Sequence, residues 1–494
     1  MNHNGSHDTS SSEPVGVIYG DVTTSEFKCA VNAPLERMEY VQVFHETCGP
    51  VLCQATSVER HTNLSIDKAQ KIANGEQVSI EEKVSATISV IGYRDERNIM
   101  QCPQTPVKAG ETIHRADEDL IRKVVGLKSD QKVGAYIGLL NGHDIPIYLD
   151  INTLVQKHLS VLSKTGGGKS YITGVIIEEL MKHNVTTLII DPHGEYATLA
   201  KAAKQSPDME RFGVKPHAYA DRILEFSPDT KINTSAQPLK FTLANLEARE
   251  ILALANVKNV RQALPAVKRA IEALRSTKPS FTMKDLIKTL DADEELPAGN
   301  LLMELEYLQE IDIFADRGTK ISEMIEKGKT TILNLRGSPA DIAELVVNRL
   351  AMALFELRKT DHIPPMMMVV EEAHNYCPQQ GATACSKIMR TIAAEGRKFG
   401  LGLTVITQRP AKVDKNVLSQ CNTQVILKIT NPNDLNAVTS SVEGLTKGMD
   451  EEIQRLPIGV ALVTGGSLTM PLLVATRPRE TLHGGESVKI IEDN

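Results

Sequence analysis

The chain has 494 residues, 41% hydrophobic and 24% charged, with 55 Lys+Arg against 62 Asp+Glu and a formal net charge of -7. That length predicts two or three domains with substantial cores, and the composition is that of an ordinary globular protein. The acidic balance argues against a surface that coats nucleic acid broadly, although a ring gripping DNA only in its central hole can be acidic overall. No run approaches the roughly 18 apolar residues of a membrane span, so no membrane anchor is expected. The seven cysteines are odd in number and contain no C-x-x-C, which disfavours a zinc site or a disulfide framework and fits a reducing cytoplasm.

In chain order, residues 1–13 are polar and rich in Ser and His, and read as a disordered tail. Residues 14–150 form a β-rich region. Val15–Tyr19, Tyr40–Phe44, Val51–Ala55, Ala86–Ile91 and Ala135–Leu139 are short β-branched runs separated by turn signals, which predicts a small barrel or sandwich, with one helical insertion near Asp67–Gly75. This region holds no cluster with catalytic spacing and reads as a structural or docking module.

From residue 151 strands alternate with helices. His158–Ser163, Val185–Ile190, Thr330–Leu335, Met366–Glu371, Leu403–Gln408 and Gln424–Ile429 are the strand candidates. The pattern predicts a mostly parallel α/β sheet over residues 151–200 and 328–474, with ligands beyond the strand carboxyl ends. Residues 201–327 interrupt the alternation with four helical stripes and read as a helical insertion. Residues 475–494 are too polar to pack alone and read as a tail or brace.

The motifs fall at strand ends. Ser163-Lys-Thr-Gly-Gly-Gly-Lys-Ser170 follows a strand and opens a helix beginning with Tyr171, so the backbone of Thr165, Gly166, Gly167 and Gly168 is suited to cradle phosphates. Lys169 should reach the β- and γ-phosphates, and the Ser170 hydroxyl should sit on Mg²⁺. Ser163 stands where the first glycine of such loops usually is. Glu371 and Glu372 end an apolar strand, one as the metal-side acid and the other as the base polarising the attacking water. Gln408 ends another strand and can sense the γ-phosphate. Asp191, in Asp-Pro-His-Gly-Glu-Tyr196, can orient water or metal, or stabilise a turn. Arg397 is a candidate cation acting on a neighbouring subunit's γ-phosphate, and Lys157 is a second.

These motifs together resemble the HerA family of hexameric DNA translocases. The resemblance rests on Thr165–Ser170, Asp191–Tyr196, Glu371–His374, Glu395–Gly400, Thr407–Pro410 and Arg477–Gly485, and covers nearly the whole chain. It implies a RecA-like P-loop ATPase core of the HerA/FtsK superfamily, preceded by a HAS-type barrel. It also implies a homo-hexamer using ATP and Mg²⁺ to move on double-stranded DNA, with a NurA-type nuclease docked on the barrel for DNA-end resection and repair. By position, Lys169, Glu372 and Gln408 act in cis and Arg397 in trans. The family often has arginine near Lys157; lysine keeps the charge and loses the planar fork. Two other readings remain open from the residues: a ring ATPase that moves protein, and an ATP-gated clamp or scaffold for a nuclease, including one in anti-phage defence.

Overall fold

The computed structural model describes residues 14–127, 132–255, 260–278, 280–293, 295, 300–310, 313–442 and 448–484. The tail expected at residues 1–13 lies outside the described residues, as does the end of the C-terminal tail beyond residue 484.

The N-terminal unit is built from β1 (Pro14–Val22), β2 (Glu26–Val31), β3 (Tyr40–His45), β4 (Gly49–Thr62), β5 (Glu82–Arg94), β6 (Met100–Gln101) and β7 (Thr112–Arg115). Hydrogen bonding runs in the order β2-β1-β7-β3-β4-β5, and β5 returns to β2 antiparallel, so the sheet closes on itself; β6 extends β5. Closure removes the free edges that a strand this polar on one face would otherwise expose. Alternate residues, among them Ile18, Phe27, Val41, Val43, Val51, Ile88 and Ile113, fill the interior. The helical insertion is Ile66–Ala73, capped by Ser65, and buries no residue.

The second unit is a sheet of β8 (Gly134–Leu140), β9 (Pro146–Asp150), β10 (Leu159–Leu162), β11 (Thr186–Asp191), β12 (Ile223–Ser227), β13 (Gln237–Pro238), β14 (Thr330–Asn334), β15 (Met366–Val370), β16 (Leu401–Thr407), β17 (Thr423–Ile426), β18 (Val460–Thr464) and β19 (Leu472–Thr476). Its order is β13-β12-β14-β11-β15-β16-β10-β17-β18-β19-β8-β9, parallel from β13 to β17 and antiparallel beyond. The central strands are continuous apolar runs buried on both faces, Met366–Val370 being an example, because helices cover both sides. Among the described residues no helix is long and apolar enough to cross a membrane.

Three segments differ from their sequence-based placement. The run Ala135–Leu139 belongs to β8, which pairs with β19 in the large sheet and not in the barrel. Its pattern is not alternating but almost wholly buried, as a strand covered on both faces requires. At Gly138 an added Cβ would lie 2.0 Å from the Ala475 carbonyl oxygen, so only glycine permits this strand approach. The stretch 201–327 contains helices Ala248–Leu254, Val260–Thr277, Met283–Asp291 and Leu301–Glu310, but it also supplies β12, which pairs parallel with β14. Its helices share one core with the sheet: Ile251, Val267, Ile271, Leu286 and Leu305 are continuous with Leu188, Ile190 and Leu333. Finally, Arg477, Arg479, Glu480 and Thr481 of the expected polar tail are buried.

Candidate active site at the carboxyl ends of the parallel strands

β10 lies between β16 and β17, with Leu162 in register with Thr407 and Ile426. Beyond Leu162 the chain turns through Ser163–Gly168 into helix Lys169–Lys182. Gly166 (φ 71°) and Gly168 (φ 91°) adopt left-handed conformations, with open space where a Cβ would stand. That leaves the backbone bare for close approach of phosphate oxygens. Ser163 is accommodated without the usual first glycine: it is buried, its hydroxyl donates to the Lys164 carbonyl (2.7 Å), and it lies against Gly167, where an added Cβ would meet Ser163 Oγ at 3.2 Å. The helix start aims its unpaired N–H groups and dipole into this turn.

β15 and β11 bring the acids to the same place. Lys169 Nζ donates to Glu371 Oε1 and lies 3.2 Å from Glu372 Oε1. Burial pulls the Lys169 pKa down, but the two carboxylates outweigh it and hold the ammonium above its usual range. Burial pushes Glu371 up, with Lys169 and Tyr196 pulling it back. The second Glu371 oxygen accepts from the Tyr196 hydroxyl at 2.7 Å. Glu372 Oε2 is buried with no hydrogen-bond partner among the described residues, His374 Nδ1 standing 3.3 Å away. A buried acceptor left without a donor in this way is uncommon in a folded chain and marks Glu372 as a candidate functional group.

Asp191 does not present a free oxygen to the site. Its Oδ1 accepts from Gly194 N–H (2.9 Å) and its Oδ2 from Tyr196 N–H (3.0 Å). It is therefore the carboxylate of an Asx-type turn, acting on the site through Tyr196. Burial raises its pKa to about 6. Gln408, beyond β16, accepts through Oε1 from the Thr165 hydroxyl, so the end of β16 touches the phosphate loop directly. Thr407, the residue before it, pairs with His374 Nδ1 at 3.0 Å and accepts from Arg409 N–H at 2.9 Å.

Lys157 and Arg397 lie elsewhere. Lys157 precedes β10 and Arg397 precedes β16, so both stand at the amino ends of the strands whose carboxyl ends carry the loop and Gln408. The seven residues of β16 alone span about 23 Å. The two cations line one cavity of about 370 Å³. His158 ties their elements together: its Nδ1 accepts from Leu403 N–H (2.9 Å) and its Nε2 donates to the Ala393 carbonyl (3.0 Å). Burial keeps this imidazole below its usual pKa, as that tautomer needs. The Arg397 side chain is exposed and makes no hydrogen bond or ion pair among the described residues.

A family model described as "Helicase HerA, central domain" matches residues 135–354. The chain is 27% identical to the DNA double-strand break repair helicase HerA of Pyrococcus furiosus, over 97% of this chain and 96% of that protein. It is 25% identical to the protein of the same name from Saccharolobus solfataricus, over 93% and 91%. The chain is similar to HerA helicases over nearly its full length. Solved structures similar to it include VirB4 of Thermoanaerobacter pseudethanolicus (TM-score 0.51, 14% identity, 71% of this chain and 97% of that one) and the conjugative coupling protein TrwBdeltaN70 (TM-score 0.50, 13%, 76% and 94%). At such identities the likeness is one of fold.

The HerA match begins at residue 135, within β8, which agrees with the place of that strand in the large sheet. Three residues of this site carry no role in the sequence reading: Tyr196, His374 and Thr407. Each lies within a quoted motif, but its partner is far along the chain. Tyr196 and Glu371 are 175 positions apart, and nothing local announces that hydrogen bond.

Proposed function

We propose that this chain is an ATP-driven translocase and helicase on double-stranded DNA, assembled as a homo-hexamer with one hydrolytic site at each subunit interface. The observation that carries the proposal is the division of groups along β10 and β16. Lys169, Glu371, Glu372 and Gln408 converge at one end, while Arg397 and Lys157 line a separate cavity at the other. An arginine so far from its own loop can stabilise γ-phosphate charge only in a second chain's site.

When ATP enters, Lys169 moves from the carboxylates to the phosphates. Glu372 then holds the attacking water with its open oxygen and takes its proton. Gln408, released from Thr165, follows the γ-phosphate and reports its departure along β16. Ser170, in the first turn of helix Lys169–Lys182, and Glu371, against Lys169, are the residues that would hold Mg²⁺, which when nucleotide-bound needs only one or two protein ligands with phosphates and water. When bound, the ion neutralises charge developing on the phosphates. The barrel is the docking site for a NurA-type nuclease, which places the motor in DNA-end resection and repair.

The test combines ATPase rate with and without duplex DNA and particle mass in solution. Stimulation by duplex and a mass of six chains are expected, with hydrolysis lost in Lys169→Ala. A monomer hydrolysing at full rate, or a Lys169→Ala chain as active as wild type, overturns the proposal.

A further inference from the structure

The chain enters β10 through a strained residue. His158 follows helix Ile151–Lys157 and has φ 60° and ψ 155°. Glycine adopts that region freely, but a residue with a Cβ crowds its own backbone there, and such strain persists only where the surroundings fix it. His158 nevertheless carries an imidazole, and the ring is buried. Three elements hold the residue in place. The ring accepts from Leu403 N–H in β16 (2.9 Å) and donates to the Ala393 carbonyl in helix Cys385–Glu395 (3.0 Å). The carbonyls of Lys157 and His158 accept from Asn422 N–H (2.9 Å) and Thr423 N–H (3.3 Å), where β17 begins.

These bonds surround the cavity that Lys157 and Arg397 share. Lys157 is joined directly to the strained residue. Arg397 follows Ala393, whose carbonyl the ring clamps, by four positions, or one helical turn. Two glycines close the same corner: a Cβ on Gly396 would lie 2.4 Å from the Leu401 carbonyl oxygen, and one on Gly402 would lie 2.2 Å from that of Val155. Backbones this close leave the end of helix Cys385–Glu395 little room to slide along β16. A histidine that only filled space would need neither the strained backbone nor both ring nitrogens engaged.

We infer that His158 is a positioning residue for Arg397, fixing the direction in which the guanidinium leaves its own fold. It touches no nucleotide itself. The inference rests on the reading that Arg397 serves a second chain's site, and it adds the group that sets its reach.

ATP binding, steady-state hydrolysis and subunit exchange with Lys169→Ala, all on the full chain, test it. His158→Asn keeps an amide oxygen for Leu403 N–H and tolerates positive φ, but it is too short to reach Ala393. It should lower kcat about tenfold and leave the ATP Kd within about twofold. Mixed at equal ratio with Lys169→Ala, it should hydrolyse about fivefold faster than the average of the two separate preparations, because its intact loop then meets a well-held Arg397 from the other chain. His158→Gln carries an amide N–H toward Ala393 and should keep kcat within about threefold of wild type. Wild-type turnover in His158→Asn overturns the inference. A mixture no faster than the average also does, since the damage would then lie in the chain's own nucleotide site. Should His158→Asn fail to fold, His158→Gln decides alone: a tenfold fall in kcat with the Ala393 bond kept contradicts the assignment. Exchange between Arg397→Ala and Lys169→Ala separates this from the parent reading. Recovery there without recovery in the His158→Asn mixture removes only the role of His158; no recovery in either removes the trans role of Arg397 as well.

Discussion

Glu372 has a left-handed backbone (φ 49°, ψ 47°), which for a residue with a Cβ costs about 1–2 kcal/mol. The strain turns its carboxylate back toward Lys169, where Glu371, one position earlier, already lies. Two adjacent acids can reach one ammonium only because the chain leaves extended geometry between them. Glu372→Gln should therefore keep ATP affinity within a few-fold while turnover falls at least a hundredfold, read by binding and hydrolysis on the same preparation. Tyr196 holds Glu371 from the other side. Tyr196→Phe removes one hydrogen bond to a buried carboxylate, a loss of about 2 kcal/mol, and should lower kcat roughly tenfold and raise the Mg²⁺ concentration for half-maximal rate. Unchanged Mg²⁺ dependence would show that Glu371 needs no such partner. Asp191 gives a pH signature. Its folded pKa of about 6 lies above that of an unfolded aspartate, so the folded state binds its proton first, and the group favours folding more as pH falls from about 6 to about 4. Denaturation of wild type and Asp191→Asn across that range should show the wild type gaining relative to the variant as pH falls; a constant difference would contradict the buried, raised carboxyl.

Helix Lys169–Lys182 must be held from behind while its first turn does chemistry, and the C-terminal segment does this. Arg477 is fully buried, with Nη1 2.9 Å from Glu178 Oε2 and Nη2 2.7 Å from Glu179 Oε1. Glu480 pairs with Lys182 (2.6 Å) and accepts from the Tyr219 hydroxyl (2.8 Å). Truncating Arg477 to alanine takes the nearest cation from buried Glu178 and leaves Glu179 with Lys182 alone, and should cost about 3–5 kcal/mol in urea denaturation, far more than Arg269→Ala at the surface pair with Asp293. Similar losses at both sites would mean that the segment is not clamped. The same network explains what sequence reading misses. Apolar spacing made the parallel strands and the phosphate loop legible, because buried strands are apolar and glycine-rich turns are local. A segment such as Arg477–Thr481 packs through charge matched to Glu178 and Glu179, which lie nearly 300 positions earlier, and no local pattern reveals that. β12 was hidden for the same reason: Glu225 looks solvent-facing in sequence, yet Asn334 Nδ2 donates to it at 2.8 Å in the neighbouring strand. Asp191 looked catalytic because its turn partners are backbone amides, which every residue possesses.

In the ring proposed above, β10 and β16 would each carry groups for two different sites: the loop and Gln408 for the chain's own nucleotide, and Arg397 and Lys157 for the next one. Movement of Gln408 on hydrolysis would be passed along a fully buried strand toward Arg397, which would couple neighbouring sites. This division makes a sharp prediction for mixtures. Lys169→Ala lacks the cis cation and keeps Arg397; Arg397→Ala lacks the trans cation and keeps Lys169. Each alone should form an inactive ring. In rings mixed at equal ratio, an interface is intact when its loop comes from the second variant and its arginine from the first, which random assembly allows at roughly a quarter of interfaces. Exchange of subunits between the two inactive preparations should therefore restore measurable hydrolysis, toward about a quarter of the wild-type rate if sites fire separately and less if they are coupled. If Arg397 served its own chain, every site in the mixture would lack one group and no activity would return, because the strand between the two groups is too long to bend.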